Sequence, residues 1–316
     1  MRKLWTEEEI LVLADLVEES ELTWDEISEQ FEDSTANSAR KAYNRYVRDN
    51  KQSRGAKSAP KILVFDIETA PIEAYVWGLF DQNIGLEMIK EDWSILSWSA
   101  KWLGAPASEV MYRDQRGQKD VRDDKAILKV IWSLLDEADV VLTQNGIKFD
   151  AKKLNARFVL HGMHPPSSYK HIDTLRIAKS KFAFTSNKLA YMTDKLCVKY
   201  KKLTHGEFPG FKLWAECLKG NIKAWKEMEE YNKHDVLALE ELYVDHLAKW
   251  DSTISFDSYT NVVQTRCNCG STEFTPKGYH YTKKSKYAKY VCNHCGKETR
   301  DSKNLFTKNK RGSLRV

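Results

Sequence analysis

The stretch KILVFDIETAP, residues 61–71, carries Asp66 and Glu68 inside an otherwise apolar run. In a strand, residues two apart face the same side, so Ile62, Val64, Asp66 and Glu68 share one face and Leu63, Phe65 and Ile67 the other. Two carboxylates this close repel each other, and burial disfavours their charge further. A divalent cation with a taste for hard oxygen ligands, Mg²⁺ or Mn²⁺, relieves both problems. The plain alternative is a strand that ends at Asp66 and leaves both acids in water.

Two more segments bear on that choice. DVVLTQNGIKFD, residues 139–150, reads as a buried strand from Asp139 to Gln144, then a turn at Asn145-Gly146, then a helix opening at Phe149 and Asp150. An acid at a helix N-terminus is favoured by the helix dipole and is common for that reason alone. EEYNKHDVLALEELY, residues 229–243, reads as a helix with Met228, Tyr231, Asp235, Leu239 and Leu242 on one stripe. Asp235 interrupts that apolar stripe and needs a partner; Tyr231 lies one turn before it on the same side.

These three segments, in this order, resemble the exonuclease motifs of the DEDD superfamily: D-x-E at Asp66 and Glu68, N-x3-F-D from Asn145 to Asp150, and Y-x3-D from Tyr231 to Asp235. The tyrosine places the resemblance in the DEDDy branch, which includes the proofreading domains of family A and B DNA polymerases. The histidine of the DEDDh branch would stand where Glu230 is. The resemblance covers roughly residues 61–250 and implies an α/β, RNase H-like fold, a mixed sheet flanked by helices. WSILSWSAKWLG (93–104) and SEVMYRD (108–114) would supply its next strands. It further implies that Asp66, Glu68, Asp150 and Asp235 hold two Mg²⁺ or Mn²⁺ ions about 4 Å apart. Asp66 would bridge both, Glu68 and Asp235 would serve the water side, and Asp150 would act largely through water on the leaving-group side. The Tyr231 hydroxyl would orient the attacking water. Asn145 either contacts the terminal nucleotide or braces its turn. The expected reaction is 3′→5′ removal of 5′-mononucleotides from DNA. A ribonuclease or structure-specific endonuclease of the same fold, or a catalytically inert DNA-binding adaptor, is the alternative.

Neighbouring residues read more blandly. His234 diverges from Asp235 by about 100° around the helix and points to solvent or to the edge of the site. Asp173 in HIDTL supports the site or simply ends a strand. His205, in LTHGEFPG, could touch substrate. Trp93, Trp98 and Trp102 read as core.

Positioning these residues falls to three compositional blocks. Residues 1–49 hold three helical patterns. The first, TEEEILVLADLVEE, has apolar residues at 10, 13, 14 and 17; Thr6/Glu9 and Thr23/Glu26 are capping boxes for the first two. The third puts Ala39, Ala42, Tyr43 and Tyr46 inward and Asn37, Arg40, Lys41, Asn44 and Arg48 outward. Trp5, Trp24 and Tyr43 stand nineteen apart, as the core aromatics of a Myb/SANT-type helix-turn-helix do, with Tyr replacing the last Trp and Ser34 where an arginine is usual. That resemblance implies duplex DNA contact through Arg40, Lys41 and Asn44, or docking of a protein such as a replication or repair factor. Residues 50–60, NKQSRGAKSAP, read as a linker.

The C-terminal block, 262–305, pairs CNCG (267–270) with CNHCG (292–296). It resembles a zinc ribbon, with Cys267, Cys269, Cys292 and Cys295 closing a structural Zn²⁺ site. The first pair is C-x-C, which leaves His280 or His294 as substitute ligands. Residues 277–316 carry 12 Lys and Arg against two acids, with Tyr279, Tyr281, Tyr287 and Tyr290 interleaved. Cations beside aromatic faces suit single-stranded nucleic acid, and Lys284, Lys286 and Tyr287 are the candidate contacts. The basic tail, 306–316, reads as disordered.

The net charge of +5 over 316 residues is therefore unevenly spread. Four of six cysteines cluster, which suits a metal site in a reducing compartment and not a disulfide framework. No apolar run approaches the roughly 20 residues of a membrane span. The expected protein is a cytoplasmic, stand-alone nuclease with no membrane partner and no polymerase-sized region after it.

Overall fold

A computed structural model describes residues 5–19, 22–53, 59–203, 206–260 and 264–315. The chain divides into two compact units, residues 1–58 with 259–263, and residues 59–258 with 264–316.

The first unit holds α1 (Glu7–Glu19), α2 (Trp24–Ser28) and α3 (Ala36–Ser53). Both capping boxes form: Thr6 and Thr23 each accept from, and donate to, the glutamate three residues on. Leu13, Ile27, Phe31, Ala39 and Ala42 make the small core, with Trp5, Trp24 and Tyr43 packed against it. Trp5 meets Phe31 edge-on at 5.0 Å, and Trp24 lies 5.8 Å from Tyr43. Arg40, Lys41 and Asn44 are exposed on α3. The side chain of Arg48 lies outside the described residues, as does His205. The helix runs to Ser53, further than the sequence pattern suggested, because nothing in NKQS breaks it.

In the second unit, β1 (Ile62–Thr69) is the central strand. After it come β2 (Glu73–Ala74), β3 (Ile89–Glu91), β4 (Ile95–Trp102) and β5 (Met111–Asp114). Then follow α4 (Lys125–Glu137), β6 (Val140–Thr143), α5 (Asp150–Leu160), β7 (Lys170–Asp173), α6 (Thr174–Lys181), α7 (Leu189–Leu196), α8 (Lys212–Leu218) and α9 (Ile222–Glu241). A one-turn π-helix, Leu242–Leu247, continues α9. The five-stranded sheet has the order β5-β4-β1-β6-β7. β4 is antiparallel to both β1 and β5, whereas β6 is parallel to β1 and β7. This is the mixed α/β sheet that the sequence resemblance implies.

The two faces of the sheet differ in chemistry. Leu63, Phe65 and Ile67 join Ile95, Trp98, Ile127, Ile131, Leu154 and Phe158 in an apolar core under α4 and α5. Trp98 is fully buried there, and Trp93 and Trp102 pack at its edge. The opposite face, covered by α9, carries Asp66 and Glu68 on β1 and Ser97, Ser99 and Lys101 on β4, with Asp66 opposite Ser99 and Glu68 opposite Ser97.

Beyond the sheet, β8 (Phe274–Thr282), β9 (Ser285–Cys292) and β10 (Glu298–Arg300) form a three-stranded sheet in the order β10-β9-β8. The tail is not structureless: Thr307 caps α10 (Lys308–Ser313) by accepting from the Lys310 amide at 3.2 Å. Basic residues in its last turn suit the helix dipole. No helix of the described residues is long and apolar enough to cross a membrane.

One buried acid ties the helical layer to the sheet. Asp124 is fully buried; it accepts from the Ile95 amide, from two nitrogens of the Arg157 guanidinium, and pairs with His161. Asp124→Ala leaves Arg157 without its acid and β4 without its N-terminal anchor. Urea unfolding should show a loss of about 3–5 kcal/mol. An unchanged midpoint would mean that the guanidinium finds equal solvation elsewhere.

Candidate active site

Asp66 and Glu68 sit half-buried at the C-terminal end of β1, on the face that α9 covers. β6 pairs with β1 only as far as Val64. The Ile67 amide is taken instead by Asp150, whose Oδ1 accepts from it at 3.2 Å. That bond fixes Asp150, 3% exposed, next to Asp66. The turn before Asp150 is built for the purpose. Asn145 adopts φ +66, a left-handed conformation that Asn tolerates. At Gly146 an added Cβ would fall 2.2 Å from the Thr143 hydroxyl. Asp173 locks the turn by accepting from the amides of Asn145 and Ile147, and it also caps α6 through the Leu175 amide. The bracing thus runs through the backbone of Asn145, with Asp173 as the supporting acid.

From α9, Tyr231, Asn232 and Asp235 point at the sheet; all three are buried. Oxygens of Asp66, Glu68 and Asp235 lie within 4.8 Å of one another. Asp150 adjoins this trio through Asp66 but is not part of it. His234 faces away and packs edge-on against Tyr200 at 5.6 Å.

Three residues complete the site without having been anticipated from the sequence. Asn232 donates to Asp66 Oδ2 at 2.7 Å and accepts from Ser97 at 3.3 Å. Trp214, on α8, donates its indole NH to Glu68 at 3.1 Å and meets Tyr231 edge-on at 6.2 Å. Lys202 forms an ion pair with Asp235 and lies 4.4 Å over the Tyr231 ring. Lys202 comes from an irregular segment that α9 itself holds: the Glu241 carboxylate accepts from the amides of Val198, Lys199 and Tyr200 at 2.6–3.0 Å. Asn232 had a readable signal, four residues after Met228 and three before Asp235 on the buried stripe. Lys202 had none, being one lysine among four between 199 and 212.

The electrostatics follow from burial and crowding. Burial, then Asp150, Glu68 and Asp235 in turn, push the Asp66 carboxyl well above its usual range, and Lys202 opposes them. Burial and Asp235 raise Glu68 to about 8. Burial raises Asp150 to about 7, against hydrogen bonds from its own amide and that of Ile67. Tyr231 is raised to about 12 by burial and Asp235. Burial alone would depress Lys202, but Asp235, Tyr231 and Asp66 reverse this and keep its ammonium charged. A crowded acidic pocket whose own lysine cannot neutralise every charge is a fitting seat for divalent cations.

The other cluster has a different donor set. The sulfurs of Cys267, Cys269, Cys292 and Cys295 gather within 4.8 Å, with 3.5 Å between Cys267 and Cys295 and 3.6 Å between Cys269 and Cys292. Neither His280 nor His294 belongs to it; His280 lies out on the hairpin beside Tyr287. Burial raises the Cys292 thiol, but amides of Cys295 and His294 pull it down to about 6. Four soft donors in this arrangement could hold one metal ion. On the hairpin, Lys286 lies 3.7 Å over the Tyr279 ring and the Arg300 guanidinium 4.0 Å over Tyr287, while Lys284 is exposed at the turn.

Family models match two parts of the chain. Residues 106–247 match the RNase_H superfamily, and residues 5–57 match a Myb-like DNA-binding domain. The core is an RNase H-like domain. The matched span includes Asp150, Tyr231 and Asp235 and begins after the strand of Asp66 and Glu68. A search of curated proteins returned no match. Among solved structures, the chain is similar to the family B DNA polymerase from the hyperthermophilic archaeon Pyrobaculum calidifontis. Identity is 13%, the TM-score is 0.42, and the match covers 63% of this chain and 27% of that one.

The acids carry a pH signature. Glu68 and Asp150 hold protons in the folded chain, up to about 8 and about 7, that the unfolded chain releases near 4.5 and 3.8. The unfolded state therefore binds fewer protons in this window, and stability falls as pH rises through it. Without metal, the melting temperature should drop between pH 5 and 8. Mg²⁺ should raise it more at pH 8 than at pH 6. A flat metal-free profile, or an equal Mg²⁺ effect at both pH values, would contradict the electrostatics described.

Proposed function

We propose that the chain is a metal-dependent 3′→5′ exonuclease that hydrolyses phosphodiester bonds of DNA and releases 5′-mononucleotides. The observation that carries this is the convergence of Asp66, Glu68 and Asp235 beside Tyr231, with Asp150 adjoining. These four acids would hold two Mg²⁺ or Mn²⁺ ions, which when bound supply an acidified water and neutralise charge on the scissile phosphate. An inert adaptor has no use for so costly a cluster.

The chain's own residues have separable tasks. Asn232 and Trp214 aim the oxygens of Asp66 and Glu68 by hydrogen bonds. Tyr231, raised to about 12, keeps its proton at neutral pH, so it orients the attacking water and does not serve as its base. Lys202 is the positive charge that the fold itself supplies, and it stabilises negative charge developing on the phosphate. The Myb-like unit would hold duplex through Arg40, Lys41 and Asn44, and the hairpin of β8 and β9 would hold a single strand through Lys284, Lys286 and Tyr287. Cys267, Cys269, Cys292 and Cys295 would hold one structural Zn²⁺.

End-labelled single-stranded DNA, duplex DNA and RNA, each with Mg²⁺, Mn²⁺ or EDTA, test the central claim. A one-nucleotide ladder from the 3′ end of DNA is expected, absent with EDTA and in Asp66→Ala. Lys202→Met should slow it roughly a hundredfold, the loss typical of one preorganised donor. Cuts within circular DNA would replace the exonuclease by an endonuclease, and a ladder on RNA alone would make it a ribonuclease.

Two accessory claims are checked separately. Arg40→Glu with Lys41→Glu should weaken duplex binding and flatten its dependence on log salt by about 2 units, leaving short single strands hydrolysed as before. Unchanged duplex binding would make α3 a protein-docking surface. Metal analysis should find one zinc per chain, lost in Cys292→Ser with Cys295→Ser; a folded wild-type chain without zinc would refute the ribbon.

A further inference from the structure

Between β2 and β3 the chain makes an excursion that buries almost none of its apolar side chains. Tyr75 is 69% exposed, Trp77 96%, Leu79 90%, Phe80 83% and Leu86 86%. Scattered single exposed apolar residues are ordinary, but five in twelve residues on one projecting arm are not.

The arm is firmly rooted. The β2–β3 pairing closes its base, and the Tyr75 amide donates to the Met88 carbonyl at 2.9 Å. Arg122 binds both legs, donating to the carbonyls of Pro71 and Asp92 and to the Glu73 carboxylate. At the tip Asp81 turns the chain at φ +53, and the Gln82 side chain donates to the Phe80 carbonyl at 2.9 Å. A device braced at root and tip can push against a ligand without folding back.

Its root is the edge of the active site. Ala70, one residue past β1, hydrogen-bonds Ser94 through its amide and packs in the same cluster as Leu213, Met228 and Trp214, the residue that donates to Glu68. Each leg of about six residues spans at most about 20 Å, so the tip lies within that reach of the root. The carboxylates lie half-buried or deeper, with Trp214 bonded to one of them. Opening a base-paired end would free its last phosphodiester to approach them.

The arm's charge selects which part of a nucleic acid it meets. From Ile62 to Ile89 there is no Lys or Arg, and Glu73, Asp81 and Glu87 flank the apolar tip. Phosphates are repelled, while Tyr, Trp and Phe faces stack on any base without regard to sequence. Apolar wedges of this kind unstack base steps.

We propose that Tyr75–Leu86 is a strand-parting wedge, seated on the terminal base pair of a duplex so that one 3′ strand descends to Asp66 and Glu68. The proposal rests on the nuclease reading for its substrate, and its test separates the two. The variant is Trp77→Ser, Leu79→Ser and Phe80→Ser together, in the full-length chain. A second variant replaces residues 76–86 by two glycines, and the melting temperature of each confirms folding. Hydrolysis of a short single strand should stay within twofold of wild type. Hydrolysis of a flush duplex with G·C ends should fall at least tenfold, and unpaired bases at the 3′ end should restore it. Independently of hydrolysis, 2-aminopurine in the terminal pair should brighten when Asp66→Asn protein binds, and this should vanish when the wedge substitutions are added. Equal losses on single strand and duplex would overturn the wedge in favour of general substrate binding. No loss on either, with unchanged fluorescence, would overturn it in favour of a protein-docking arm. Brightening without cleavage by wild type would keep the wedge and sink the nuclease.

Discussion

Three carboxylates held within 4.8 Å of one another are the constraint on which the rest of the second unit depends. Left alone, such a cluster would protonate or push its elements apart. The fold answers with a lysine, an amide and an indole, each from a different element. Lys202 pairs with Asp235, Asn232 binds Asp66, and Trp214 binds Glu68. None of the three neutralises the whole cluster, which is why the Asp66 carboxyl stays pushed well above its usual range and Glu68 is raised to about 8. An incomplete compensation leaves room for added cations, where a complete one would compete with them.

The same constraint explains the asymmetry of the sheet. One face of β1 and β4 is apolar, and it supplies the burial that holds the layers together. The other must accommodate acids, so β4 places small serines opposite Asp66 and Glu68, and further along pairs buried Lys101 with Glu240. α9 then does three things along its length. It delivers Tyr231, Asn232 and Asp235 to the acids, clamps Lys101 with Glu240, and with Glu241 fixes the backbone that brings in Lys202. A shift of α9 along its axis would disturb all of these at once.

Much of this was legible in the sequence because it rests on local periodicity. The period of two in ILVFDIE divided acids from aliphatics correctly, and the period of 3.6 put Tyr231 and Asp235 on one buried stripe. The turn before Asp150 could be read from Asn145-Gly146, although the acid that locks it, Asp173, looked like an ordinary strand end. Contacts across long sequence separation left little trace. Lys202 reaches Asp235 only because Glu241 captures three amides of a loop, and no spacing rule encodes that capture. The arm at 75–86 is a different failure. Its apolar residues resemble core in a sequence, and only their exposure shows that they have no partner in the fold. The basic tail erred the other way, since one threonine cap sufficed to start a helix where composition suggested none.

Charge is unevenly distributed along the chain. Residues 62–89, which hold two of the site acids and the arm, have five acids and no Lys or Arg, whereas residues 277–316 have twelve cations and two acids. Phosphate attraction is long-ranged, insensitive to sequence and weakened by salt. Concentrated beside the carboxylates, it would hold a cleaved nucleotide as firmly as the strand. On the proposed reading the hairpin, where Lys286 and Arg300 lie on tyrosine rings, would supply that attraction to a polymer. On that reading cations and tyrosine faces of the hairpin would act on the strand, and the acids of β1 on the bond to be cut.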